Sequence, residues 1–199
     1  MRKIIIVGLV LFVASCAHLG KVQILESYPQ EVPKWFTENI SSWDDSDAKY
    51  FVGTSEDSLS RDVSSSKAQM NAEQKLVEMI KQKIVTSFDS IMTQEIEKCK
   101  YLKENNTEQK KITDEFHSTT DVIQLSGITP VYAYDRKLKE KIRGKTKITW
   151  SSSVVVKIKK TVINEALNNI NANLKQNLND KEAKDTCDRI MERLSKEIK

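Results

Sequence analysis

Three thiols, two imidazoles and one dense run of cations hold most of the capacity for specific chemistry in this 199-residue chain. A thiol attacks or ligates as its thiolate, and an imidazole works as acid, base or ligand near neutral pH. The cysteines stand at positions 16, 99 and 187 and the histidines at 18 and 117, with no paired spacing of the kind that builds a metal site. His117 lies in "EFHSTTD" on a helical pattern, where a solvent-facing structural role is the expectation. His18 is two residues from Cys16 in an aperiodic stretch, a poor place for a ligand or base. No Gly-rich phosphate cradle and no G-x-S-x-G turn occurs, and the carboxylates are spread evenly rather than paired. Neither catalysis, nor a metal, nor a dissociable cofactor is expected.

The first cysteine has a more specific setting. Arg2 and Lys3 precede an apolar run from Ile4 to Val13, which is well short of the roughly 20 residues that span a bilayer. A basic start, a short apolar middle and small residues at the end form a secretory signal peptide, here residues 1–15. Val13-Ala14-Ser15-Cys16 resembles the bacterial lipobox, in which the thiol receives a diacylglyceryl group before cleavage on its N-terminal side. On that resemblance Cys16 is the first residue of the mature protein, and its covalent lipid is the only non-protein group expected. One acyl chain holds a protein marginally and two or more hold it stably, so the membrane becomes a permanent partner. Ala17 stands where Asp would retain a lipoprotein in the inner membrane of many Gram-negative bacteria. The expected location is therefore the bacterial outer membrane, facing the periplasm or the surface.

Loss of residues 1–15 leaves 184, enough for one compact domain, and lowers the formal charge from +4 to +2. That balance argues against a nucleic-acid partner. The cations are nevertheless concentrated. "RKLKEKIRGKTK" carries Arg136, Lys137, Lys139, Lys141, Arg143, Lys145 and Lys147 against Glu140 alone. At a hairpin tip such a run could bind lipid phosphates or another anionic envelope polymer, and it would equally protect an exposed strand edge from pairing. Cys99 and Cys187 both fall on apolar phases of helical patterns. An oxidising envelope permits a disulfide between them, while buried free thiols would show the same pattern.

Periodicity supplies the elements that must carry these groups. Residues 16–32 read as a lipidated tether, aperiodic, with one of the three prolines, Pro29, inside it and a second, Pro33, directly after it. A short strand, "KYFVGT", follows the Trp35-Phe36 pair, and Ser55–Ser58 with Glu56 and Asp57 suits a helix start. Ala68, Ala72, Leu76, Ile80, Ile84, Phe88 and Met92 then recur every four residues, which predicts a long helix whose small residues admit close approach at its beginning. A strand over "KIVTSFDSI" is the alternative for its middle. "ENNTEQKK" reads as a helix–helix turn and Ile112–Leu125 as a second helix. "KITWSSSVVVKI" alternates, with Ile148, Trp150, Ser152, Val154, Val156 and Ile158 on a buried face and Thr149, Ser151, Ser153, Val155 and Lys157 on a wet one. With "GITPVYAYDRKLKEKI" it forms an antiparallel hairpin turning at Arg143-Gly144. Apolar stripes in residues 163–178 and 183–198, hinged at Asn177–Asp180, predict two C-terminal helices that need a partner. That partner is either the long helix or a second copy of the chain. The fold class is α+β: long amphipathic helices on a small antiparallel sheet of one N-terminal strand plus the hairpin, with residues 33–160 as the domain and 161–199 as a helical segment.

The order of these features, lipobox, Pro33-Lys34-Trp35, "VGTS", Ala68 and Ala72, then Gly127-Ile128 opening the hairpin, resembles the bacterial lipoproteins named after the twenty-kilodalton Helicobacter outer-membrane antigen, which are similar to flagellar basal-disk lipoproteins. The similarity spans about residues 33–158, with "GTSEDS" and "SSSKAQ" departing from the family's usual elements. It implies helices on an antiparallel sheet and a structural, scaffold or protein-interaction role without catalysis, with self-assembly in some members. The alternative that the residues themselves suggest is an accessory module that binds cell wall, lipid headgroups or an envelope enzyme through residues 136–147.

Overall fold

The computed structural model describes residues 22–142, 144–178 and 180–198; the signal segment, Cys16, Ala17, His18 and Arg143 lie outside the described residues. Valine, isoleucine and threonine crowd the alternating segments, and these β-branched residues fit a pleated, half-buried surface. They form β1 (Gln23–Tyr28), β2 (Ser42–Asp44), β3 (Ala48–Ser58), β4 (Thr129–Ile142) and β5 (Lys145–Lys159). The strands lie side by side as β1-β4-β5-β3-β2, and every neighbouring pair is antiparallel. The helices are α1 (Lys34–Thr37), α2 (Arg61–Lys98), α3 (Lys100–Glu104), α4 (Asn106–Val122), α5 (Lys160–Asn177) and α6 (Lys181–Ile198).

The α+β class is the one expected, with a larger sheet. The stretch expected to be a tether contributes β1, which pairs along β4 from Gln23↔Lys139 to Tyr28↔Asp135. Its strand character is hidden because β1 is a mostly exposed edge with no apolar alternation. Ser55–Ser58 is strand rather than helix start: β5 is long enough to pair with β3 as far as Ser58↔Trp150, across a register shift after Ser55. The cap is Ser60 instead, its hydroxyl accepting from the Val63 amide at 3.3 Å. "KIVTSFDSI" is helical throughout, and "ENNTEQKK" breaks the helix only at Asn105, whose side chain accepts from the Glu108 amide and starts α4 early.

α2 lies along one face of the sheet, which we call the helix face. Lys49, Phe51, Gly53 and Ser55 of β3 and Trp150, Ser152, Val154, Val156 and Ile158 of β5 share that face through their register. Gly53 is where helix and strand come closest. A Cβ there would lie 2.2 Å from the Ala68 carbonyl oxygen and 2.4 Å from the Ala72 amide nitrogen, so both partners must be small and the strand residue must be glycine. At 1.5 Å per residue α2 is about 57 Å long, so its second half runs on past the sheet. There Ile84, Phe88, Ile91 and Met92 pack with Leu102, Ile112, Phe116, Ile170, Leu174, Cys187, Ile190 and Leu194 in one continuous core. Phe88 and Phe116 stack with ring centroids 3.6 Å apart. Both C-terminal stripes are thus buried inside the chain. The partner they need is α2 and α4, not a second copy.

The opposite face of β5 is drier than expected. Ser151, Ser153, Thr149 and Val155 are all buried. The chain between β1 and β2 comes back over this face: Phe36 of α1 packs on Tyr134 at 4.8 Å, and Arg136 lies 4.6 Å over the Phe36 ring while its Nη2 donates to Ser151 Oγ at 3.0 Å. Small hydroxyl residues made this face look solvated in the sequence, whereas they are what lets the covering segment sit close.

Replacement of Gly53 by Ala should cost about 3 kcal/mol, because the added methyl meets backbone on both sides and nothing flexible can yield. The shift of the urea midpoint measures it. A loss below about 0.5 kcal/mol would mean that helix and strand are not seated as described.

Candidate functional site

β4 and β5 pair without interruption from Tyr132↔Val155 out to Ile142↔Lys145, so a two-stranded ribbon carries the cations beyond the edge of β3. β3 leaves β5 at Trp150, and β1 leaves β4 at Lys139. From Lys139 to Gly144 the ribbon therefore projects for about 17 Å at 3.3–3.4 Å per residue with no further strand paired to it among the described residues.

The root of the ribbon is braced by charge and aromatic contacts. Asp135, a buried carboxylate in β4, accepts from Arg61 Nε at 2.7 Å, and the same guanidinium lies 4.4 Å over the Tyr28 ring. Arg61 is the first residue of α2, so this pair ties the helix start to the middle of β4 and to the edge strand. Tyr28 stacks on Trp150 at 6.3 Å, and Lys137 Nζ sits 5.8 Å over the indole while donating to Glu26 Oε1 at 2.9 Å. That hydrogen bond is the main cause holding the Glu26 carboxyl below its ordinary pKa. On the other face Lys147 pairs with Asp57 at 3.0 Å, where Asp57 takes φ 58° in the irregular step of β3.

The sequence-predicted cations therefore separate by role. Arg136, Lys137 and Lys147 are partnered, and Arg143 lies outside the described residues. Lys139, Lys141 and Lys145 are exposed with no ion pair among the described residues. Their distribution follows from the turn. Lys137, Lys139 and Lys141 recur every second residue on β4 and share the helix face with Trp150 and Ile148. Because Ile142 pairs with Lys145, the two-residue turn reverses the phase, and Lys145 and Lys147 fall on the opposite face with Ile142 and Leu138. Lysines without an ion pair among the described residues stand on both faces, Lys139 and Lys141 on the helix face and Lys145 on the other, where Glu140 and the Lys147–Asp57 pair also lie. Both faces are also apolar: Ile142 and Ile148 are 43% and 49% exposed, and at the ribbon's base Val22, just before β1, and Ile24, opposite Leu138, are 56% and 52% exposed.

The remaining candidates are structural. Cys99 and Cys187 are free thiols, so the disulfide permitted by the sequence is not formed. Burial, with Asp188 adding to it, pushes the Cys187 thiol up to about 12. His117 Nε2 lies 2.9 Å from Asp89 Oδ1, its ring edge-on to Phe88 and Phe116, which fixes α4 to α2. Among the described residues no group of three or more His, Cys, Asp or Glu is gathered as metal ligands would be, and no helix is long and apolar enough to cross a membrane. Sequence reasoning missed Asp135, Arg61 and Tyr28. The available signal was Asp135 on the buried phase of a strand, where an acid needs a cation, but the strand's phase is set by its partner and not by its own weak alternation.

Comparison with known proteins adds no relative: no family model, curated protein or solved structure matches the chain.

The thiols provide a direct check on this packing. At pH 8 a group with a pKa of about 12 is about one ten-thousandth thiolate, so Cys187 should resist iodoacetamide in the native protein and react once it is unfolded. Cys99, half-buried, should react in the native state. Peptide mapping reads both, and equal native reactivity or a Cys99–Cys187 bridge would contradict the core described.

Proposed function

We propose that this protein is a lipid-anchored, non-catalytic component of a bacterial outer membrane, with a structural, scaffold or protein-interaction role. The single observation that carries the reading is the run from Arg2 to Cys16, in which a basic start, a short apolar segment and a lipobox-like Val13-Ala14-Ser15-Cys16 agree on one thiol. The resemblance to the lipoproteins named after the twenty-kilodalton Helicobacter antigen supports the same assignment through Pro33-Lys34-Trp35 and the "VGTS" strand end. Function then lies in where the body is held. Two or three acyl chains on Cys16 keep the remaining 184 residues at a membrane face without a span of their own.

Self-assembly would have to use a surface other than the C-terminal stripes, since Leu174, Ile190 and Leu194 are fully covered by their own chain. A second reading, an accessory module working through residues 136–147, is favoured by the exposed Lys139, Lys141 and Lys145 on a projecting ribbon. Protein purified from its native membrane should lack residues 1–15 and carry a diacylglyceryl group on Cys16 by mass spectrometry. Cys16→Ala should keep the uncleaved segment and lose its place in outer-membrane fractions. A bare thiol at a mature N-terminus would sink the assignment.

A further inference from the structure

We propose that the tip of the β4–β5 ribbon docks end-on into the anionic headgroup layer of the leaflet that holds the Cys16 lipid, fixing the orientation of the body. The inference rests on the reading of Cys16 as the lipidated residue.

Strand direction places the start of β1 and the tip at the same end of the molecule. β1 is antiparallel to β4, and its first residue, Gln23, pairs with Lys139, so β1 begins at the end of the sheet from which the ribbon projects. Six residue steps separate Cys16 from Val22. Fully extended they span at most about 22 Å. The ribbon projects about 17 Å past the same Lys139. The anchor's greatest reach and the ribbon's projection are of the same order, so a membrane that holds Cys16 is within reach of the tip. The leash bounds how far the tip can withdraw, and the surface chemistry of the tip decides whether it stays against the leaflet.

The surface chemistry selects the occupant. Lys139 and Lys141 lie on one face of the ribbon and Lys145 on the other, beside Glu140 and the paired Lys147, with exposed Ile148 and Ile142 among them on the respective faces. A polymer strand laid across the ribbon would meet only one of those faces. A headgroup layer surrounds an inserted tip, offers phosphate to lysines on both faces and accepts isoleucines at its acyl boundary. Val22 and Ile24, exposed at the start of β1, extend the apolar part toward the anchor.

Lysine labelling of the intact acylated protein tests this. The protein is reconstituted in phosphatidylcholine vesicles with and without phosphatidylglycerol, and in detergent, then mapped by mass spectrometry. Labelling of Lys139, Lys141 and Lys145 should fall by about threefold or more on the phosphatidylglycerol vesicles relative to the other two, and the protection should fade at high salt. Exposed Lys110 and Lys181 on the helical end should be unchanged. In the variant Lys139→Glu/Lys141→Glu, still acylated and still vesicle-bound, protection of Lys145 should disappear. Equal labelling in all three settings, equal protection without phosphatidylglycerol, or protection by added cell-wall sacculi in place of vesicles would overturn the proposal. The intact mass separates the two levels: an unmodified Cys16 overturns the anchor and the docking together, whereas an acylated Cys16 with freely labelled hairpin lysines overturns the docking alone.

Discussion

The seat of α2 on β3 at Gly53 is the contact on which the rest of the structure depends. Backbone atoms of Ala68 and Ala72 stand where a side chain of residue 53 would be. Close approach at this one place sets the height and the line of a 38-residue helix over the sheet. From that line the helix start meets Asp135 through Arg61, and the far half reaches past the sheet to become the central rod of a helical layer. A bulkier pair at the seat would lift the helix, and the polar ties at its start and the apolar ladder at its end would both lose register.

The two ends of α2 are fastened by different physics. At the sheet end the fastening is polar: a buried carboxylate, a guanidinium stacked on Tyr28, and a ring of lysine and tryptophan contacts around the root of the hairpin. At the helical end it is mainly apolar, with the His117–Asp89 contact and a group in which Glu95 accepts from Arg193 at 2.7 Å and lies 3.6 Å from Arg189 of α6. Fully buried Leu and Ile side chains contribute about 1.5–3 kcal/mol each, so the helical end carries more of the stability while the polar end carries more of the geometry. The projecting ribbon gains its fixed direction from the polar end.

The long ladder, the C-terminal stripes with their break near Asn177–Asp180, and the hairpin were legible in the sequence because each is a local pattern repeated often enough to outvote exceptions. β1 was not, since an exposed edge strand is specified by the strand it joins and shows no alternation of its own. The end of β3 was misread because Ser and Asp suit a helix cap and an irregular strand equally well. The choice was made 92 residues away, by Trp150 pairing with Ser58. Serines 151 and 153 looked wet for a similar reason: their burial comes from Phe36, Tyr134 and Arg136, which are remote in sequence or belong to another strand. The cationic run was visible as composition, but not which cations were already engaged.

Parity is what turns that run into a shaped surface. Lysines at every second position would line one face of a single strand, and a hairpin with an odd number of turn residues would keep them there. The two-residue turn between Ile142 and Lys145 reverses the phase instead, so the lysines before it and those after it look in opposite directions. A one-sided array suits a flat or linear partner, and mutual repulsion would then concentrate on one side. The two-sided array spreads the repulsion, leaves isoleucine interleaved on both faces, and gives a ribbon with the same character whichever way it is turned about its axis. Such a tip presents similar chemistry whichever of its faces is turned outward, and only distance along the ribbon axis changes what it offers.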